Sequence, residues 1–234
     1  MYAREVGDQT LTFAVSGLLW NKSLVMIDAP TKSLWSHLLG KAMRGPLEGT
    51  ILETLPSLMT DWKTWQELHP HTTLVMLSPT ERAYHRDYYR HDPSAFVVGV
   101  TAVGVTGIGV TGIGVTDGDA SRAWSFDQLM TTPVVNDVFL DTPILVIFEK
   151  ESMTAFLFQR ELQEKSLTFE QGATGLVDQQ TGSTWDGRRG HAIAGPLKGQ
   201  RLESITGIVS FRETWQIFHP ETTYYRAESS EESE

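Results

Sequence analysis

The sequence predicts a mainly β fold (β-rich α+β): two tandem β-meander or small-barrel repeats, each closed by one short helix. Three observations predict it. Asp28 to Thr73 can be laid over Asp178 to Thr223 at a constant offset of 150 residues, without a gap and with roughly 40% of positions identical, which marks an internal repeat. Short apolar runs and period-two alternations are separated by Gly, Pro, Asn and Asp, the pattern of strands and turns. Near the end of each copy a single stretch of helical period stops at a His-Pro pair, because proline excludes the preceding residue from the helix.

The repeated residues are specific. Asp28, Thr31, Ser33 and Trp35 return as Asp178, Thr181, Ser183 and Trp185; Gly45, Pro46, Leu47, Gly49, Leu52 and Glu53 return as Gly195, Pro196, Leu197, Gly199, Leu202 and Glu203. Thr64, Trp65, Gln66, His69 and Pro70 return as Thr214, Trp215, Gln216, His219 and Pro220. The repeat sets the boundaries: 1–77 is the first repeat, lacking its leading strands, and 78–95 a connector. The second repeat is 96–225, and 226–234 is an acidic tail too polar to bury anything and expected to be disordered.

In chain order, the opening residues read as two short strands, with Leu11, Phe13 and Val15 on one face of the second. Their counterparts, Leu167 to Phe169, lie at an offset of 156, so six residues are gained or lost before Asp28. Leu24 to Asp28 reads as a buried strand and Ala29 to Ser33 as a turn, with Pro30 fixing φ and Asp28 bonding forward to the backbone. A strand to Arg44, a Gly-Pro-Leu-x-Gly reversal and a strand from Thr50 to Leu55 follow. A phosphate cradle would open directly onto a helix with a placed lysine, and here a strand pattern follows instead. The closing helices are expected to be capped by Thr60 in the first copy and, in the second, by a Ser210–Glu213 capping box; Phe211, Trp215 and Phe218 share a face, as do Trp65 and Leu68. In the second copy GVT begins at Gly99, Gly104, Gly109 and Gly114, a five-residue period that fits neither strand nor helix. Residues 99–116 therefore read as a Gly/Val/Thr pentapeptide expansion of one hairpin or loop. A helical turn at Phe126 to Met130 and a buried strand from Pro143 to Phe148 follow.

Composition narrows the function. A formal net charge of −10 argues against nucleic acid and anionic lipid as partners. The absence of cysteine removes disulfides, thiolate metal sites and thiol nucleophiles from this chain. No apolar run reaches the roughly 20 residues of a membrane helix, and the first residues carry no signal-peptide pattern. No membrane insertion is expected, and the default compartment is the cytoplasm, unless a missing N-terminus carries an export signal.

The run LTFAVSGLLWNKSLVMIDAPTKSLWSHLLGKAMRGPLEGTILETLPS, the following W-x-x-W-x-x-x-HP, and the segments DGDASRAWSF and VVNDVFLDTPILVIF resemble the domain of unknown function 3179 family of bacteria and archaea. The resemblance covers nearly the whole chain outside the pentapeptide expansion and the tail. It implies an N-terminal region with a Cys-Pro-x-x-Gly stretch, so the chain reads as truncated there. It implies no activity, since none is established for the family.

Chemistry has few candidates. Asp28 and Asp178 are the catalytic candidates, a carboxylate from each copy, although each also opens a turn where Asp serves locally. Trp35 and Trp185 are the binding candidates, set against a role in each core. His69, His71, His85 and His91 are the metal candidates, without a common ligand spacing; His69, which recurs beside a helix-stopping proline, reads as bonded to backbone. No cofactor is expected. Two functional readings follow: a non-catalytic β-repeat module, structural or binding a protein or polymer between the repeats, or the remnant of a thiol- or metal-dependent enzyme whose cysteine segment lies upstream of Met1.

Overall fold

The computed structural model describes residues 1–55, 57–74, 92–102, 120–173 and 175–227. Connector residues 78–91 with His85 and His91, most of the pentapeptide expansion, and tail residues 228–234 lie outside them. Among the described residues the fold is mainly β, built from several antiparallel sheets and three short α-helices.

Each copy carries the same four-stranded meander. In the first the order is Phe13–Trp20, Ser23–Asp28, Leu34–Ser36 and Lys41–Arg44; in the second it is Phe169–Gly172, Gly175–Asp178, Thr184–Asp186 and His191–Ala194. The registers correspond: Phe13 faces Asp28 as Phe169 faces Asp178, and Met26 faces Trp35 as Leu176 faces Trp185. A bulge falls at Leu34/Trp35 and again at Thr184/Trp185. Behind each meander sits the same small core, Leu11, Trp35, Ala42 and Leu52 in one copy and Leu167, Trp185, Ala192 and Leu202 in the other.

The six-residue difference before Asp28 lengthens the first hairpin. Its turn, Asn21-Lys22, has φ of 49° and 62°, the left-handed pair that matches strand twist in a two-residue loop. The lengthened tip lays Trp20 edge-on against Phe218 of the second copy's helix, with ring centroids 4.8 Å apart. Val15, read on one face with Leu11 and Phe13, is 68% exposed while Leu11 is buried.

The second copy adds two more four-stranded sheets. One runs Glu203–Ile205, Thr154–Gln159, Thr142–Glu149, Val134–Phe139; the other runs Ile208–Phe211, Phe96–Thr101, Ser121–Ser125, Thr223–Tyr224, the last pairing parallel. Val98, Val100, Trp124, Phe126, Ile144, Val146 and Leu157 fill the main core they share. Among the described residues of the first copy, Met1 to Ala3 echoes these sheets. Leu55 N–H donates to Met1 O, Ala3 N–H to Glu53 O, and Tyr2 bridges Thr54, where the second copy pairs Leu157 with Ile205, Gln159 with Glu203 and Phe158 with Ser204. Thr50 to Leu55, expected as a strand, forms isolated bridges at Ile51 and Thr54, since Met1 to Ala3 offers too short a partner for a ladder.

The helices are Trp62–Leu68, Phe126–Thr131 and Arg212–Phe218. The cap of the first is Asp61, whose Oδ1 accepts from Thr64 N–H at 2.7 Å, and not Thr60, whose hydroxyl instead accepts from Thr154 at 2.8 Å. The expected Ser210–Glu213 box does not form. Phe211 stands at the cap where the first copy has Asp61, and Ser210 is committed to its strand opposite Val97. Phe211 is 52% exposed, so the inner face of that helix belongs to Trp215 and Phe218.

The Gly-Pro-Leu-x-Gly reversal explains its first glycine. Gly195 has φ +88°, and a Cβ there would lie 2.7 Å from Ser183 Cα; Gly45 meets Ser33 at the same distance. Backbone cannot retreat as a side-chain tip can. Gly195→Ala is expected to cost about 2–3 kcal/mol, read as a lowered urea midpoint at unchanged slope.

Candidate functional site

The two aspartates named from sequence are each the centre of a closed hydrogen-bonded latch. Asp28 Oδ1 accepts from Thr31 N–H at 2.6 Å, and its Oδ2 accepts from Ser33 N–H at 3.0 Å and the Trp35 indole at 2.9 Å. Thr31 Oγ1 lies within 2.9 Å of both oxygens. Asp178 repeats every bond with Thr181, Ser183 and Trp185. Ser33 and Ser183 then accept from Leu47 N–H and Leu197 N–H, tying the latch to the glycine reversal. Burial raises the Asp28 pKa, but the hydrogen bonds from Trp35, Thr31 and Ser33 outweigh it and hold the carboxyl below its ordinary 3.8. Asp28 and Trp35 are 0% exposed, and Asp178 and Trp185 are 0% and 3%. The four side chains sit in their own cores, and the two copies do not bring them together.

The Trp–Asp pairing occurs a third time where the repeat gave no signal. Asp137 accepts from the Trp124 indole at 2.9 Å and from Arg122 Nε and Nη2 at 2.9 and 3.0 Å. Next to it, Asn136 exchanges two 2.8 Å bonds with the backbone of Phe169, fastening the large sheet to the meander.

His69 and His219 close their helices with their backbone: each N–H donates to the carbonyl of Trp65 or Trp215 at 2.8 Å. Each ring lies against that tryptophan, at 4.2 Å in the first copy and 4.1 Å in the second. His71 is exposed. Among the described residues no group of three His, Cys, Asp or Glu could hold a metal ion.

The open space lies elsewhere, between the first copy's helix and the second copy's sheet. A cleft of about 470 Å³ has Trp65, Leu68, Phe156 and Leu157 among its walls, with Ser57 and Ser204 also lining it. That volume is in the range of small-molecule sites. Its rim is tied by polar contacts across the copies. Arg188 donates to Glu67 at 2.6 Å and, through Nε and Nη2, to Glu149; Arg189 donates to Glu67 O at 3.0 Å, and Thr64 to Glu149 at 3.2 Å. The bonds to Glu67 and Glu149 raise the Arg188 pKa above its ordinary value.

Trp65 shows why the space exists. Its counterpart Trp215 is 0% exposed, pressed against Gly99 of the strand Phe96–Thr101. Trp65 keeps the indole bond to Thr72 that Trp215 makes to Thr222, yet it is only half-buried and lines the cleft. Arg201, which also lines the cleft, was invisible to the repeat because Ile51 stands at its place in the first copy.

Among the described residues no helix is long and apolar enough to cross a membrane. No curated protein and no solved structure matches the chain. The model of one family, described as "Protein of unknown function (DUF3179)", matches residues 1–222, and the chain therefore belongs to that family.

Proposed function

We propose that this chain is a non-catalytic β-repeat module that binds its ligand in the cleft between the two copies. One observation carries the reading: the cleft is walled by apolar side chains from both copies, while the carboxylates with the best sequence claim to chemistry are spent inside latches. Trp65 supplies a large flat apolar surface at low cost in side-chain entropy, the usual anchor of a binding site. The salt-bridged rim of Arg188, Glu67 and Glu149 holds the two walls at a fixed spacing and so preorganises the site.

The neutral fluorophore N-phenyl-1-naphthylamine tests this. The folded chain is expected to bind it with enhanced emission. Ser204→Phe, which adds a ring at an exposed cleft-lining position without touching the core, is expected to weaken binding tenfold or more. Equal affinity in Ser204→Phe and the parent chain would place the ligand elsewhere and end the proposal.

A further inference from the structure

This inference rests on the cleft being the binding site and concerns what the cleft selects. Three arginines, Arg188, Arg189 and Arg201, and the imidazole of His69 line it, and among the described residues no carboxylate does, in a chain whose net charge is −10. The arginines differ in their commitments. Arg188 is held by Glu67 and Glu149, and Arg189 by Asp186 at 3.2 Å. Arg201 has neither an ion pair nor a side-chain hydrogen bond among the described residues, although its backbone is fixed by a bridge to His191. An arginine kept at the mouth of an apolar cleft offers a planar fork whose geometry matches a carboxylate, on a group that sheds its water more readily than an ammonium.

We infer that the cleft takes an apolar monocarboxylate, its hydrocarbon body between Trp65, Leu68, Phe156 and Leu157 and its carboxylate on Arg201. The side chains of Trp65, Leu68, Phe156 and Leu157 provide apolar area and do not discriminate among bodies of similar size, whereas the guanidinium of Arg201 discriminates by charge. A strongly polar dianion fits less well, since the remaining arginines already have carboxylate partners.

The test is displacement of N-phenyl-1-naphthylamine from the full chain by decanoate and by decan-1-ol, which share a ten-carbon chain and differ in charge. Decanoate is expected to bind at least tenfold more tightly. Arg201→Gln is expected to lower decanoate affinity about tenfold or more and to leave decan-1-ol unchanged, with Arg201→Lys between the two, because it keeps the charge and loses the fork. Equal displacement by the two compounds, or an Arg201→Gln variant that still prefers decanoate, would overturn the carboxylate assignment and leave the cleft as an apolar site. A fluorophore insensitive to Ser204→Phe would remove the cleft itself and this inference with it. Arg201 and Ser204 are exposed side chains outside the core, so both variants are expected to fold and to give a readable result.

Discussion

Asp178→Ala is expected to lower the unfolding free energy by about 3–5 kcal/mol, and Asp28→Ala by a similar amount, in urea titrations at neutral pH. Each substitution deletes one carboxylate and takes the acceptor from four donors in a dry interior: the backbone N–H and hydroxyl of Thr, the backbone N–H of Ser, and the tryptophan indole. Against a typical total of about 5–15 kcal/mol, that is enough to threaten the fold. Asparagine should not rescue it, because its amide turns a donor toward donors. Glu53→Ala and Glu203→Ala, on exposed positions of the same repeat, serve as controls and should stay within about 0.5 kcal/mol of the parent. A pH series adds a signature. The folded pKa of Asp28 lies below its ordinary 3.8, so its ionisation stabilises the fold fully above that value and progressively less as pH falls through the folded one. The deficit of Asp28→Ala relative to the parent should therefore shrink below about pH 3.8.

The second large effect is an asymmetry between equivalent tryptophans. Trp215→Ala should cost about 3–5 kcal/mol, as expected for emptying a sealed aromatic site, whereas Trp65→Ala should cost about 1–2 kcal/mol, since its half-buried ring already borders open space. Gly99→Ala supplies the complementary test: its Cβ would fall 2.3 Å from the Trp215 ring, and about 2–3 kcal/mol of strain should follow. Thermal unfolding of the three variants under one condition decides the ranking. Equal losses at Trp65 and Trp215 would mean that the two helices have equivalent surroundings after all.

Much of this was legible from residue types and spacing. Period two, the turns at Asp28 and Asp178, the glycine reversals and the His-Pro stops are local signals, and the structure places most strands, turns and helices where they point, the run from Thr50 to Leu55 excepted. Local signals also misled. Thr60 and Ser210 are good cap residues by type, yet a better acceptor one position on, Asp61, takes the first helix, and strand pairing claims Ser210. The latches were half visible: the sequence showed that Asp, Thr, Ser and Trp travel together, but not that a bulge swings the indole onto the carboxylate. The cleft was not visible, because its walls come from segments about a hundred residues apart. Comparison of the copies finds what they share, and Arg201 and the exposure of Trp65 are places where they differ.

The latch from Asp28 to Trp35 closes over seven residues and that from Asp178 to Trp185 over seven more, so each can form as soon as its stretch of chain collapses. The sheet beside Trp215 must wait: its outer strands, Ile208–Phe211 and Thr223–Tyr224, meet partners more than a hundred residues earlier. Folding is therefore expected to show two quick local closures and one slower return of the C-terminal segment. That late step seals the tryptophan of the second copy and leaves its twin at the edge of the cleft.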